Sequence, residues 1–346
     1  MAALAYGERI QDTSSFQSIR NHVTRCVQLG ISALWSSEAA RDPFLPLVVA
    51  AEQSTTLQLG TGIAVAYGRT PYATAQAAWD LQRLSQGRFR LGIATQVKAH
   101  VERRYGATWP GGATALREYI QCCRAIWDCW QDGTQPTFEG EHFRFTLTNP
   151  EFRPQPLPDD QRHIPIWVAA VGPRSARVAG EVGDGLHVHA FHTPGYLRDV
   201  VLSEARAGRE ASGSEAPLDM TCPVLAGIVH NEEQDRVLRE EFRAHVAFYA
   251  STPAYAPVLE HAGLSGIHEA LRPLARERRW SEMPALIGDD VLDLFIVLDE
   301  PRALAHKLHA RYDGLLTELA LYRGGDRFAT GEDLAELVAL LAADGS

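Results

Sequence analysis

Short apolar runs alternate with longer runs of helical periodicity along most of this chain. Eight of the apolar runs predict β-strands, which begin at Leu4, Ala33, Leu57, Phe89, Ile164, Gly185, Cys222 and Glu318. Some of them, such as LGIAT and IPIWVAA, are apolar on both faces, as expected for strands between a barrel lumen and an outer helix layer. The pattern therefore predicts an α/β fold, a (β/α)8 TIM barrel with insertions.

Two segments interrupt the repeat of strand and helix. Residues 132–163, approximately, contain seven Pro or Gly residues and the run EGEHFRF, which predicts a hairpin. Residues 231–297, approximately, form a long helical insertion. Neither has the pattern of an independent domain, so residues 1–346 are predicted to be one barrel domain. Insertions of this length usually cover or line a site.

A doubly wound open sheet is the competing topology. Its dinucleotide-binding turn, G-x-G-x-x-G after the first strand, is absent from this sequence. The barrel is therefore the favoured fold.

Composition narrows the class of protein and of partner. The chain is 45% hydrophobic and 22% charged, and it has no apolar run near the roughly 18 residues of a membrane span. The N-terminus lacks a secretory pattern, so we expect a soluble, cytoplasmic protein without a membrane partner. A net charge of −10 with no basic run argues against nucleic acid. Five cysteines without a C-x-x-C pair are expected to be reduced and buried.

The strand C-termini are the first place to look for chemistry, because barrel enzymes build their sites there. The fifth strand ends in Ala169, Ala170, Val171 and Gly172. Pro173 then starts a helix whose first turn carries Arg174, so its free N–H groups and the guanidinium suit a phosphate. The alternative is an ordinary strand-to-helix turn.

The ends of the third and fourth strands are also candidates. Gly60 and Gly62 lie inside a strand, and Gly62-Ile63 is the point where a planar ligand can approach; a strand bulge is the alternative. Polar residues follow the fourth strand, namely Thr95, Gln96, Lys98 and His100. They suit a ring or a phosphate, or else they belong to a solvated helix face.

Two further positions carry titratable groups. Glu38 ends the second strand and is either an acid/base or ring-contacting group, or the partner of a barrel arginine. His187, His189 and His192 follow one another after Gly185, and the first two share a strand face. They suit proton transfer or packing; no third ligand is marked by spacing, so no metal is predicted. A histidine donor would make activity fall across its titration near neutrality.

The runs LGTGIAVAYGRTP, LQRLSQGRFRLGIATQ and VAAVGPRSARVAGEVGDGLHVHAFHTPGYL together resemble the luciferase-like monooxygenase superfamily over essentially the whole chain. TQVKAHVERRYG and SEMPALIGDD are similar to its branch of coenzyme F420-dependent oxidoreductases.

The resemblance implies a barrel that holds a flavin or its 5-deaza relative at the strand C-termini, and a homodimer. It also implies a non-proline cis peptide, for which Gly62-Ile63 is the matching position. By the same matching, Glu38 falls at a ring-contacting acidic position, and Thr95, Gln96 and His100 fall in a cofactor loop. Ala169 to Gly172 match the segment that lies along the cofactor and its phosphate.

Two departures from the family pattern concern proton transfer. The His that follows the acidic residue of strand two in deazaflavin dehydrogenases is Ala39 here, and the Glu of their strand-four loop is Val97. A different donor, His187, His189 or Glu38, is then required.

Three functions follow from these patterns. The leading hypothesis is hydride transfer between coenzyme F420 and a small organic substrate, with Arg69, Arg174 and Arg177 available for the acidic groups of the coenzyme. The second is an FMN-dependent monooxygenase supplied by a partner reductase, since reduced FMN reacts with oxygen and the carbon at position 5 of a deazaflavin prevents this. The third is a flavin-binding protein without catalysis.

Overall fold

Eight parallel strands pair edge to edge until the last one meets the first. The computed structural model describes residues 3–10 and 12–343. The barrel strands are β1 Ala5–Arg9, β2 Ala33–Ser36, β3 Gln58–Thr61, β4 Phe89–Ala94, β5 Ile166–Ala170, β6 Gly185–Val188, β7 Asp219–Val224 and β8 Glu318–Leu321. Tyr6 pairs with Leu319, and this pairing of β1 with β8 closes the ring. The predicted (β/α)8 barrel is confirmed, with each of the eight predicted strands in place.

Helices follow the strands and cover the barrel. They are α1 Phe16–Gln28, α2 Leu45–Gln53, α3 Pro71–Leu84, α4 Ala113–Asp132, α5 Pro173–Val182, α6 Ser203–Ala211, α7 Pro301–Tyr312 and α8 Gly331–Ala342. A short helix, Lys98–Arg103, precedes α4, and a π-helical segment, Leu197–Leu202, leads into α6. These two lie in the loops after β4 and β6.

Local sequence sets where the helices begin and which face they bury. The Ser15 hydroxyl accepts a bond from the Ser18 N–H at the start of α1, which is a standard N-cap. The buried side of α1 is Ile19, Val23 and Cys26, spaced at one helical turn. All five cysteines of the chain are buried and free.

Helices α5 and α6 touch through glycine. A Cβ added at Gly180 would lie 1.9 Å from the Ala205 carbonyl oxygen, and one added at Gly208 would lie 2.0 Å from that of Arg177. The two helices can approach this closely only because both positions lack a side chain.

The interruptions of the repeat have their own structure. The first contains an antiparallel hairpin, Phe138–Glu139 with Arg144–Phe145, which begins one residue before the predicted run EGEHFRF. The second contains four α-helices, Glu232–Ala250, Ala256–His261, Ser265–Arg276 and Asp289–Leu292, between the paired short strands Ala226–Ile228 and Val297–Asp299. The limits of a single domain stay a prediction.

Large and polar side chains fill the N-terminal half of the lumen. Glu318 accepts hydrogen bonds from the Trp35 indole at 2.6 Å and the Thr221 hydroxyl at 2.9 Å, and it lies 3.4 Å from Arg90. The Arg90 guanidinium stacks on Trp167 at 4.7 Å. Burial raises the pKa of the Glu318 carboxyl, against the opposing effect of Arg90. With this half of the lumen filled, a ligand can enter the lumen only at the C-terminal end, here called the mouth.

Within the described part of the chain, no helix is long and apolar enough to cross a membrane.

Candidate active site

One side of the mouth is lined by small residues. Gly62 after β3, Ala94 at the end of β4 and Ala169 near the end of β5 are all partly exposed. Gly60 on β3 and Gly92 on β4 lie two residues before Gly62 and Ala94, on the same face of each strand, and both are buried. One glycine and two alanines on three neighbouring strand ends leave a flat surface that a planar ring can approach.

The floor beneath this surface is formed by two rings. Trp35 and His187 meet edge to face with their ring centres 4.5 Å apart. His187 is buried, and its Nε2 has no hydrogen-bond partner among the described residues. Burial lowers the pKa of this imidazole to about 3, with a further lowering from Arg90. His187 is therefore a neutral ring at physiological pH.

The segment between β3 and α3 is fastened to β2. The Gly62-Ile63 peptide is cis, as the family resemblance implies. The Ser37 hydroxyl donates to the Gly62 carbonyl at 2.6 Å, and the Glu38 N–H donates to the Ile63 carbonyl at 3.0 Å. Both carbonyls of this segment are thus engaged by the end of β2.

The Glu38 carboxylate is held by several donors. Arg69 lies 2.5 Å from Oε2, the Val65 N–H donates to the same oxygen at 2.7 Å, and the Tyr105 hydroxyl donates to Oε1 at 2.9 Å. Arg69 also reaches Asp42 at 3.3 Å. The structure thus realises the alternative left open for Glu38, an ion pair with a barrel arginine. This network holds the Glu38 carboxylate in one position on the wall of the mouth.

The loop after β4 lies against the loop after β2. Thr95 and Gln96 are partly exposed at the mouth, and Gln96 has a left-handed backbone with φ of 62°. Such a conformation is uncommon outside glycine and often marks a functional loop. His100 is exposed on the short helix that follows, and Arg104 donates to the Ala39 carbonyl.

The start of α5 is open. Ala169 faces the mouth and Ala170 is buried, while the Val171 carbonyl accepts a bond from Tyr196 at 3.0 Å. Gly172 is the N-cap and provides no side-chain cap, and a Cβ built on it meets nothing within 4 Å. Unbonded N–H groups beside open space suit an anion.

Arg174 stands exposed in the first turn of α5, and it has no ion-pair partner among the described residues. The two other arginines that could bind the acidic groups of the coenzyme already have ion-pair partners. Arg69 is paired with Glu38, and Arg177 is paired with Glu204 at 2.9 Å. Arg174 is therefore the available cation of these three.

The opposite side of the mouth is aromatic. His189 stacks on Tyr255 with ring centres 4.6 Å apart, and its Nε2 is 3.1 Å from the Tyr255 hydroxyl. Tyr249 packs edge to face against His189 and shares a 2.5 Å hydrogen bond with Tyr322. The second insertion therefore supplies a wall of the mouth through Tyr249 and Tyr255.

His189 has a defined tautomer. Its Nδ1 accepts the Phe191 N–H at 3.1 Å, so in the neutral ring the proton is on Nε2, which donates to Tyr255. Burial lowers the pKa of His189 to about 4 and that of His192 to about 4. The expected titration of a histidine near neutrality is thus wrong for these rings, because desolvation disfavours the imidazolium.

Sequence reasoning missed Tyr249 and Tyr255, because no motif marks them and only the folded insertion brings them to His189. Sequence reasoning did anticipate the two departures from the family pattern, at Ala39 and Val97. Ala39 and Val97 are both exposed at the rim and offer no acid or base. Among residues 3–10 and 12–343, no group of three His, Cys, Asp or Glu side chains is placed to hold a metal ion.

The chain matches the family model of luciferase-like monooxygenases over residues 3–318. An uncharacterized protein of Mycobacterium tuberculosis is 37% identical over 83% of this chain and 84% of its own length. The 5,10-methylenetetrahydromethanopterin reductase of Archaeoglobus fulgidus is 25% identical over 88% of this chain and 89% of its own.

Solved structures share the fold. The coenzyme F420-dependent tetrahydromethanopterin reductase of Methanopyrus kandleri has a TM-score of 0.75 at 20% identity, with 97% of each chain covered. The FMN complex of the oxygenating constituent of 3,6-diketocamphane monooxygenase from Pseudomonas putida has a TM-score of 0.68 at 16% identity, with 98% of each covered.

Proposed function

Because this chain belongs to the luciferase-like monooxygenase family, we propose that it is an oxidoreductase that transfers a hydride between coenzyme F420 and a small organic substrate. The observation that carries the proposal is the pairing of a bare strand-end surface with an open helix start at one mouth. When bound, the coenzyme supplies a deazaflavin carbon that gives or takes the hydride.

The residues at the mouth fit such a group. Gly62, Ala94 and Ala169 leave space for the ring, and the uncapped start of α5 at Gly172 suits its phosphate. Arg174 is free to meet a further acidic group of the coenzyme. Thr95 and Gln96 border the same space from the loop after β4.

The choice of deazaflavin over FMN rests on sequence relatives and charge. A putative coenzyme F420-dependent oxidoreductase of Mycobacterium tuberculosis, 27% identical over 82% of this chain, supports it. The acidic tail of coenzyme F420 also suits an unpaired arginine. FMN remains the second candidate because an FMN complex shares the fold, and it requires electrons from a partner reductase.

A proton donor other than the family's usual pair is needed at this mouth. Since His189 donates to Tyr255, the Tyr255 hydroxyl accepts one bond and its own proton is free for another acceptor. Tyr255 is partly exposed, and burial raises its pKa to about 12, so it is protonated at neutral pH. We assign proton delivery to Tyr255 and its orientation to His189.

The assay for the activity follows the visible absorbance of coenzyme F420 in an anaerobic cuvette. Purified enzyme and reduced coenzyme are mixed with a panel of small carbonyl and imine compounds, and oxidised coenzyme is mixed with the corresponding alcohols and amines. We expect at least one compound to change the absorbance at a rate that is proportional to enzyme. Tight binding without turnover on either panel would support the non-catalytic alternative.

Substitution of Arg174 tests where the anionic part of the coenzyme lies. We expect Arg174→Gln to weaken coenzyme F420 binding by about 10-fold, the loss of one charge-assisted hydrogen bond. The matched control is Arg177→Gln on the same helix, whose guanidinium is paired with Glu204 and whose loss should change affinity less than twofold. Equal effects of the two variants would contradict the placement.

Substitution of Tyr255 tests the proton donor. We expect Tyr255→Phe to lower kcat by about 100-fold, the lower range for loss of a positioned acid, while the Kd for the coenzyme stays unchanged. Tyr249→Phe is the control, because the Tyr249 hydroxyl is already bonded to Tyr322. Unchanged kcat in Tyr255→Phe would remove the hydroxyl from the reaction.

A further inference from the structure

A second cavity opens at the N-terminal end of the barrel, opposite the mouth. Its volume is about 390 Å³, within the range of small-molecule sites. Helix α6 lines one side, and the chain entering β7 and β8 lines the other. Its walls include Leu202, Leu218, Met220, Leu316, Arg206 and Arg209. Barrel enzymes rarely build active sites at this end, so the cavity calls for a separate explanation.

The charge of this cavity is one-sided. Arg206 and Arg209 are the charged residues that line it, and neither has an ion-pair partner among the residues described. Asp184 is the carboxylate that interacts electrostatically with Arg209. It is already paired with Arg124 at 3.0 Å and with His163 at 3.0 Å. Two guanidiniums thus line an apolar cavity whose described walls contain no carboxylate.

Arg209 is also short of hydrogen bonds. Its Nε and Nη2 atoms are buried without a partner in the described part of the chain, and Nη1 has only a 3.4 Å contact with the Ser214 hydroxyl. Buried polar groups are nearly always bonded in native proteins, so each exception calls for a missing acceptor. Burial is the main cause that lowers the pKa of Arg209, and a nearby anion would raise this pKa again.

We propose that this cavity binds a small amphiphilic carboxylate. The positive charges of Arg209 and Arg206 attract the carboxylate, and Nη1 of Arg209, whose one contact is the Ser214 hydroxyl at 3.4 Å, is the donor on the cavity side. The apolar chain of the ligand packs against Leu202, Leu218 and Leu316. The site goes beyond the proposed function, because it lies at the other end of the barrel from the mouth.

The test is isothermal titration calorimetry of the purified full chain with decanoate, with decanol as the uncharged match. We expect one decanoate per chain and at least 10-fold weaker binding of decanol. Arg209→Gln should weaken the binding of decanoate by about 10-fold or more, and Arg206→Gln should weaken it by less. The control is Arg198→Gln, an exposed arginine just before α6 that does not line the cavity, and it should bind as the wild type does.

A second variant keeps the test decisive if Arg209→Gln folds poorly. Ala216 is exposed at the cavity wall, so Ala216→Trp fills the space without entering the core. We expect it to abolish decanoate binding and to leave coenzyme F420 binding unchanged. Absence of decanoate binding to the wild type, equal affinity for decanol, or full affinity in Ala216→Trp would each overturn the site. Coenzyme titration of the same variants reports separately on the mouth.

Discussion

Lowering the pH from 7 to 5 is expected to destabilise the folded chain by about 6 kcal/mol, through three desolvated histidines. The pKa of His187 is lowered to about 3 and those of His189 and His192 to about 4, while an unfolded histidine titrates near 6.5. At pH 5 the unfolded chain holds a proton on each ring and the folded chain holds none. Each histidine then contributes about 2 kcal/mol, at about 1.4 kcal/mol per pH unit.

The sign follows from the direction of the shift. A group whose pKa is depressed in the folded state contributes stability above its unfolded pKa, and that stability is lost as pH falls through the window down to the folded pKa. Burial is the first cause for all three rings, and it outweighs the backbone hydrogen bonds of His187 to Thr61 and of His192 to His189, which raise the pKa. Arg90 beside His187 and Arg311 beside His192 act in the same direction as burial. The loss is therefore expected to begin near pH 6.5 and to continue to about pH 4.

Urea unfolding at half-unit steps between pH 7.5 and 5 measures this slope. His187→Gln, His189→Gln and His192→Gln should each remove about a third of it, because a neutral amide does not titrate. Substitution of the exposed His100 with glutamine is the control, and this variant should keep the wild-type slope. A stability that is flat between pH 6.5 and 5 would show that these rings are not desolvated as the structure has them.

Gly92→Ala is expected to destabilise the barrel by about 3 kcal/mol or more, or to prevent folding. A Cβ at this position would lie 1.8 Å from the Thr61 carbonyl oxygen and 2.6 Å from His187 Nε2. The first contact is with backbone, so β3 and β4 must separate to admit the methyl group. The Thr61 hydroxyl, which donates to the Gly92 carbonyl at 2.7 Å, would also lose its geometry.

A matched glycine separates this effect from the general cost of the substitution. Gly266 lies in the helix Ser265–Arg276, and a Cβ built there meets nothing within 4 Å. Gly266→Ala should be neutral or stabilising by up to about 1 kcal/mol, because alanine favours helix. Removing His187 as well should not rescue Gly92→Ala, since the Thr61 oxygen remains. The free energy of unfolding of each soluble variant, measured with a chemical denaturant, tests both expectations. For a variant that does not fold, the yield of soluble protein on expression is the measurement.

The fold was predictable because its signals are local. Each barrel strand is an apolar run of the right length, and each begins within a few residues of its predicted start, as with Phe89 and Ile166. The Gly62-Ile63 position came from family resemblance, since no periodicity marks a cis bond. Prediction of strand ends therefore sufficed to place the mouth.

The functional groups were less predictable because their environments are tertiary. The sequence left Glu38 open between acid and ion pair, and only the folded chain brings Arg69 and Tyr105 to its carboxylate. Likewise, Tyr255 lies 66 residues from His189 in a segment without a motif. The orphaned N–H groups of Arg209 depend on burial, which a single sequence does not report.

The central claim is that the mouth holds a deazaflavin, and the most direct measurement is titration of the purified protein with coenzyme F420 and, separately, with FMN. Fluorescence gives both dissociation constants. We predict micromolar or tighter binding of coenzyme F420 and much weaker binding of FMN. The reverse preference would contradict the account and would favour an oxygen-using flavin monooxygenase.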